Sequence, residues 1–369
     1  MSAIPESIKK QIANPQPNIQ HFLEVITGKK TPQRVLLAEL FADLEIMKWI
    51  TEHVFEKTWV DSSPDRVQME KHLLCQIEYW HRMGYDYIRV TGGVEFPENT
   101  LFSKNTAELS QNDRGWINST GGPIQSWEDY EKYPWPTVKD EDLWMYEFVA
   151  KNLPAGMGVM VCPSSGFLEI PSDVLIGYES LSMMLYDDPE LVKTVFDRTR
   201  EILVDIYRRI AGLKNVVGFF QGDDMGFRSG TLLSPDFIRT HALPGHKMLT
   251  DLAHANNKVY FLHSCGNLNA IMDDLIDDVK IDAKHSYEDA ICPVEQFYDR
   301  YSSRIGLLGG LDVDLLARAD EATLRRRARE ILNHCMPKGR YAFGTGNTLV
   351  NYSKLENVLA MFDEAYRWG

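Results

Sequence analysis

The run KVYFLHSCGN (residues 258–267) places four apolar or aromatic residues directly before a histidine, a serine and a cysteine. Apolar residues in unbroken succession suit a strand buried on both faces, as in a parallel sheet covered by helices. A strand that ends in an imidazole and a thiol delivers chemistry at its C-terminal end. His263 and Cys265 stand two residues apart, so an extended chain puts both side chains on one face.

The same pattern repeats along the chain. RVLLAEL (34–40), YDYIRV (85–90), GVMVCPSS (158–165), VVGFFQGDD (216–224), VKIDAKHSY (279–287), RIGLLGGLDV (304–313) and RYAFGTGN (340–347) read as further strands. Helical stretches lie between them. Residues 234–257 open on Ser-Pro, and 319–335 carry apolar residues at helical spacing. Residues 353–369 open on Ser353 with Glu356 three positions on, which predicts a capping box. Strands alternating with helices predict a single (β/α)8 TIM barrel over 34–369. Residues 1–33 form an N-terminal extension. The long segment 91–137, rich in Gly, Asn, Ser and Pro, is expected to fold over the barrel mouth.

A net charge of −14 excludes sequence-independent nucleic-acid binding, which needs clustered Lys and Arg. No apolar run reaches the roughly 18–20 residues that span a bilayer. The start is polar and resembles no signal peptide. Five cysteines, odd in number and widely spaced, suggest no disulfide framework. A cytoplasmic location is expected.

In a barrel of this kind the site is built from the C-terminal strand ends. Here they carry Asp223 and Asp224; His263 and Cys265; His285, Tyr287 and Glu288; Gly309 and Gly310; and Asn347. Imidazole and thiolate together suit zinc. His285 or Glu288 would supply a third ligand, and Asp224 another. The competing readings are a hydrogen-bonded pair at His263 and Cys265, turn-capping aspartates, and a satisfied, half-buried His285. The Gly309-Gly310 pair reads as backbone that passes close to something. Cys75 and Cys335 sit in helical patterns and read as structural.

The order GDDMG (222–226), SPDFIRTHALPGHKMLTDLAHANNKVYFLHSCGN (234–267), GGLDV (309–313) and Leu355-Glu356-Asn357 resembles the uroporphyrinogen decarboxylase superfamily. The resemblance is strongest over 216–363 and implies a (β/α)8 barrel. It leans toward the zinc-dependent, corrinoid-linked methyltransferase branch or an uncharacterised relative. The decarboxylase pattern has an arginine-rich stretch after its first strand, where this chain reads Glu39-Leu40-Phe41-Ala42-Asp43. At the early strand end, where the decarboxylase pattern has an aspartate, stand Thr91, Gly92 and Gly93, with Glu95 following. The methyltransferase pattern implies zinc on a His-x-Cys, matched by His263 and Cys265, and on a late cysteine. Asn347 stands in place of that cysteine, so the resemblance assigns the missing ligand to Glu288, with His285 as the alternative.

The function this implies is transfer of a methyl group between a small substrate or thiol and a corrinoid carried by a partner protein, assisted by zinc. Zinc would hold a thiol as thiolate. In the reverse direction Asp224, His285 or Glu95 would protonate the leaving group. Asn347, Asp223 and Tyr287 are expected to touch substrate. Aromatics of 116–137 (Trp116, Trp127, Tyr130, Tyr133, Trp135) either close a lid or pack on the barrel. A homodimer is the expected assembly. The alternatives are a decarboxylase-like lyase and a non-catalytic barrel that binds a tetrapyrrole or corrinoid.

Overall fold

The structure, a computed structural model, describes residues 4–98, 100–103, 114–117 and 121–368. Seven parallel strands form one sheet: β1 (Tyr87–Thr91), β4 (Gly158–Cys162), β5 (Val216–Gly222), β6 (Val259–His263), β7 (Ala283–His285), β8 (Gly306–Leu308) and β9 (Tyr341–Ala342). The spatial order follows the chain order, as expected when each strand returns through a helix. β2 (Thr100–Ser103) and β3 (Arg114–Ile117) form a separate antiparallel pair within the long segment.

The predicted first strand, 34–40, is not a ladder strand. Leu37 bridges Phe343 and Ala42 bridges Leu349, both in parallel. Backbone bonds from Ala38 to Phe343 and from Phe343 to Leu36 hold it beside β9. On its other side, side chains make the junction with β1. The Tyr87 hydroxyl accepts from Glu39 N at 3.2 Å and donates to Glu39 O at 3.0 Å.

The extension is part of the core. Its helix Ile19–Ile26 buries Phe22, Val25 and Ile26, and the Phe22 ring lies 5.4 Å from Tyr87 and 6.4 Å from Phe261. It therefore plugs the floor beneath the strands. The outer helices follow the same logic. In Pro189–Ala211, Pro189 opens the helix and the Asp188 side chain accepts from Leu191 N. Val192, Val195, Phe196, Thr199, Leu203, Ile206, Tyr207 and Ile210 turn its buried stripe to the sheet.

Two helical expectations change. The run 234–257 is two helices, Pro235–His241 and Leu243–Ala255, with Ser234 capping the first through Phe237 N. The final helix, Leu355–Arg367, has Lys354 at its N-cap and no side-chain cap bond. Ser353 lies one residue too early for the predicted capping box and is buried. Among the described residues no helix is long and apolar enough to cross a membrane.

Candidate metal centre

Strand alternation sorts the residues at the end of β5. Gln221 and Asp223 turn toward the helices, and Asp224 turns into the mouth. The Gln221 carboxamide accepts from the Tyr207 hydroxyl. Asp223 is fully buried. Its carboxylate accepts from Leu168 N at 3.1 and 3.0 Å and from Glu169 N at 2.9 Å, and meets His246 Nε2 at 2.7 Å. Gly166 must be glycine for this, since a Cβ there would stand 2.0 Å from the Asp223 carboxyl carbon. Asp223 fastens the loop after β4 to β5. It is not placed to touch substrate as expected, because every carboxylate oxygen is engaged.

Asp224, His263 and Cys265 bring one oxygen, one nitrogen and one sulfur within 4.8 Å of one another. His263 Nε2 lies 3.4 Å from Cys265 Sγ and 3.5 Å from Asp224 Oδ1. Cys265 N donates to Asp224 Oδ1 at 2.8 Å, which fixes the carboxylate on the cysteine backbone. Asn347 Nδ2 donates to Cys265 Sγ at 3.1 Å, and the Ser286 hydroxyl lies 3.8 Å from the same sulfur. The Asp224 carboxylate side chain is 37% exposed, so the cluster opens to solvent on one side.

His285 is beneath this cluster, not within it. Fully buried, it meets His263 Nδ1 through its own Nδ1 at 2.7 Å, and its Nε2 faces Thr345 O at 3.2 Å. Thr345 in turn is held by Glu39. Its amide donates to Glu39 Oε1 at 2.7 Å and its hydroxyl meets Oε2 at 2.6 Å.

Burial sets the protonation states. It pushes His263 well below the usual imidazole range and His285 down to about 3, with neighbouring positive charge adding to both shifts. Burial, and then Asp224, push the Cys265 thiol up. Burial raises the Asp224 carboxyl against the bonds from Cys265. Glu169 is raised to about 8, by burial first and then by Asp223 and Asp224. Glu39 is also raised to about 8 by burial. Lys284 is drawn down to about 8 by burial, its ammonium held by Ser286 O at 2.7 Å and Ser264 O at 3.3 Å.

Other expected residues lie elsewhere. Glu288 is not in the oxygen–nitrogen–sulfur cluster; it lines a small neighbouring cleft with Asn267, Lys284 and Cys292. Glu95 is exposed on the segment after β1. Tyr287 is buried, and its hydroxyl donates to Lys284 O at 3.0 Å, so it braces β7 where a substrate contact was expected. Trp127, Tyr130, Tyr133 and Trp135 meet edge to face with centroids 4.9–6.0 Å apart, and the Tyr133 hydroxyl donates to Pro97 O at 2.8 Å. Trp116's side chain lies outside the described residues. Three residues were missed by sequence reading. Glu39 and Thr345 are two, and Arg89 is the third. Its guanidinium reaches from β1 to both sides, donating from Nε to Phe220 O at 2.9 Å and from Nη1 to Leu40 O at 3.5 Å.

The profile of the uroporphyrinogen decarboxylase (URO-D) family matches residues 160–368, more than half of the chain. The chain belongs to the URO-D family. The match spans β4 to the last helix and so takes in the whole Asp224–His263–Cys265 cluster of this URO-D chain. A methyltransferase from Methanosarcina mazei is similar in structure, with a TM-score of 0.67 at 15% identity, covering 95% of this chain and 98% of its own. That likeness is one of fold. A Bacteroidetes-affiliated GH5 cellulase linked with a polysaccharide utilization locus aligns over 98% of this chain and 94% of its own, at 9% identity and a TM-score of 0.38, too distant to argue from. No protein of curated function matches this URO-D chain in sequence.

Proposed function

We propose that this URO-D family member is a methyltransferase whose eight strand positions close into a (β/α)8 barrel, with a zinc-type metal held by Asp224, His263 and Cys265. The observation that carries the reading is the donor set: a carboxylate, an imidazole and a thiol within 4.8 Å, open on one side. Carboxylate and thiolate neutralise a dication, imidazole adds a neutral donor, and three protein ligands with an open position suit a catalytic zinc. Asp224 thus takes the role expected of Glu288, and Asn347, expected to touch substrate, gives its hydrogen bond to the sulfur.

A metal bound there would lower the pKa of a thiol at the open position and keep it nucleophilic at neutral pH. The protein's own residues do the rest. Asn347 donates to Cys265 Sγ and so stabilises its anionic form. The Cys265 amide holds Asp224 at the mouth, ready to ligate or to orient substrate. Among the described residues Arg89 is the cation that reaches between β5 and residues 36–42, enough for one substrate carboxylate and too few for the several carboxylates of a tetrapyrrole. The methyl group's other carrier, a corrinoid on a partner protein, rests on the family's methyltransferase branch.

Elemental analysis of zinc-supplied protein, beside cobalt substitution read by its thiolate charge-transfer band, tests the reading. One metal per chain in wild type is expected, with loss in Cys265→Ala, His263→Ala and Asp224→Ala. Equal and negligible metal in all four proteins would end it.

A further inference from the structure

We infer that His285, Thr345 and Glu39 form a positioning chain that fixes His263 in one tautomer and aims its free Nε2 lone pair at the Asp224–Cys265 cluster. This rests on the metal reading for its purpose, but not for its geometry. A backbone carbonyl only accepts. Thr345 O lies 3.2 Å from His285 Nε2, so that nitrogen carries the proton. His285 is fully buried against the Phe220 ring, and among the described residues no carboxylate pairs with it; an imidazole so placed carries one proton, so its Nδ1 is an acceptor. The 2.7 Å contact between the two Nδ1 atoms then has one possible donor, the Nδ1–H of His263. A neutral His263 with that proton has an unprotonated Nε2, the atom facing Cys265 Sγ and Asp224 Oδ1. The opposite tautomer would set the His285 lone pair against the carbonyl lone pair.

The acceptor at the chain's end is itself fixed. Thr345 O also accepts from Gly310 N at 3.1 Å, so both its lone pairs are used. Glu39 grips Thr345 through amide and hydroxyl. Gly309, at φ +84°, leaves the room: a Cβ there would stand 2.1 Å from Thr345 O and 2.8 Å from His285 Nε2. The histidine that sequence suggested as a ligand or catalytic acid is therefore a positioning residue. A ligand histidine commonly gives its second N–H to such a partner; here the partner is a second neutral imidazole.

Long-range 1H–15N spectra of metal-free protein report each imidazole's protonated nitrogen, with assignments from His263→Ala and His285→Gln. The expected result is Nδ1–H on His263 and Nε2–H on His285. His263 protonated at Nε2, or at both nitrogens, overturns the inference whether or not the protein binds metal. Cobalt titration gives the second readout. His285→Gln, whose carboxamide can accept from His263 and donate to Thr345 O, should retain affinity. His285→Phe, which can do neither, should lose roughly 10–100-fold. Equal affinities in the Gln and Phe variants overturn the positioning role. A wild type that binds no metal sinks the metal reading and leaves the spectra to decide the chain; a Phe variant that fails to fold leaves the metal reading untouched, and the spectra again decide the chain.

Discussion

Replacing Glu39 with glutamine should make the protein more stable at neutral pH, and the reason lies in the sign of a buried titration. Glu39 is fully buried and offers its carboxylate to Thr345 alone, through one amide and one hydroxyl. Two donors do not offset the loss of water, and the carboxyl rises from 4.5 to about 8. Between those values the folded chain holds a proton that the unfolded chain has released. Stability therefore falls as pH rises through that window, by up to about 1.4 kcal/mol per pH unit. From pH 5 to pH 7 the cost comes to about 2.5 kcal/mol. Glutamine keeps the size and the acceptor for Thr345 N, and its amide can donate to the Thr345 hydroxyl, which turns to accept. It has no proton to release. Urea unfolding followed by tryptophan fluorescence, run on both proteins at pH 5, 6, 7 and 8, isolates the term. The stability difference should grow by about 2.5 kcal/mol in favour of Glu39→Gln from pH 5 to 7. Two pH–stability curves that run parallel would refute the reasoning, because they would mean the folded carboxyl titrates as it does in the unfolded chain.

Asp224→Asn should weaken zinc binding by at least the roughly 10–100-fold that loss of an outer partner costs, while Glu288→Gln leaves it unchanged; isothermal titration of both variants decides which carboxylate belongs to the centre. Asn347→Cys, under reducing conditions, should tighten binding, since it sets a second thiolate beside Cys265 Sγ. Gly309→Ala should cost about 1–3 kcal/mol in thermal unfolding, and weaken metal binding as well, because its Cβ would meet both Thr345 O and His285 at a φ of +84°. Metal uptake should release a proton from Cys265, whose thiol burial keeps protonated, so apparent affinity should rise about tenfold per pH unit from pH 6 to 8; a pH-indicator titration that detects no release would contradict this.

Much of the arrangement can be read from the chain because strands announce themselves by composition and deliver residues to one end. His263, Cys265, Asp224, His285 and Asn347 stand at strand ends in sequence and form one connected set of contacts in space. Period-two alternation was available for Asp223 and Asp224 too: adjacent strand residues face opposite sides, so only one of them reaches the mouth. Glu39 and Thr345 were hidden for a different reason. Their contact joins residues 306 positions apart, and nothing local marks an acidic residue as buried. Arg89 looks like any strand arginine until the fold brings Phe220 O and Leu40 O to its guanidinium. The capping box failed by a single residue, where the backbone began its helix at Leu355 and not at Lys354.

The junction between residues 36–42 and β1 has a consequence for how the molecule opens. Elsewhere neighbouring strands are joined by repeated backbone bonds, whose loss is shared among many residues. Here the Tyr87 hydroxyl and the Arg89 guanidinium span the gap, reaching Glu39 and Leu40. A joint made of two side chains parts at one place, and cheaply. Local breathing of the sheet should start there, with the Glu39 amide, held by the Tyr87 hydroxyl, exchanging with solvent before the amides of β5 and β6. Glu39 sits on that joint, so each opening also slackens its hold on Thr345 and, through His285, on the far side of the mouth. The stiffness of the His263 imidazole would then be governed by the least firmly stitched edge of the sheet.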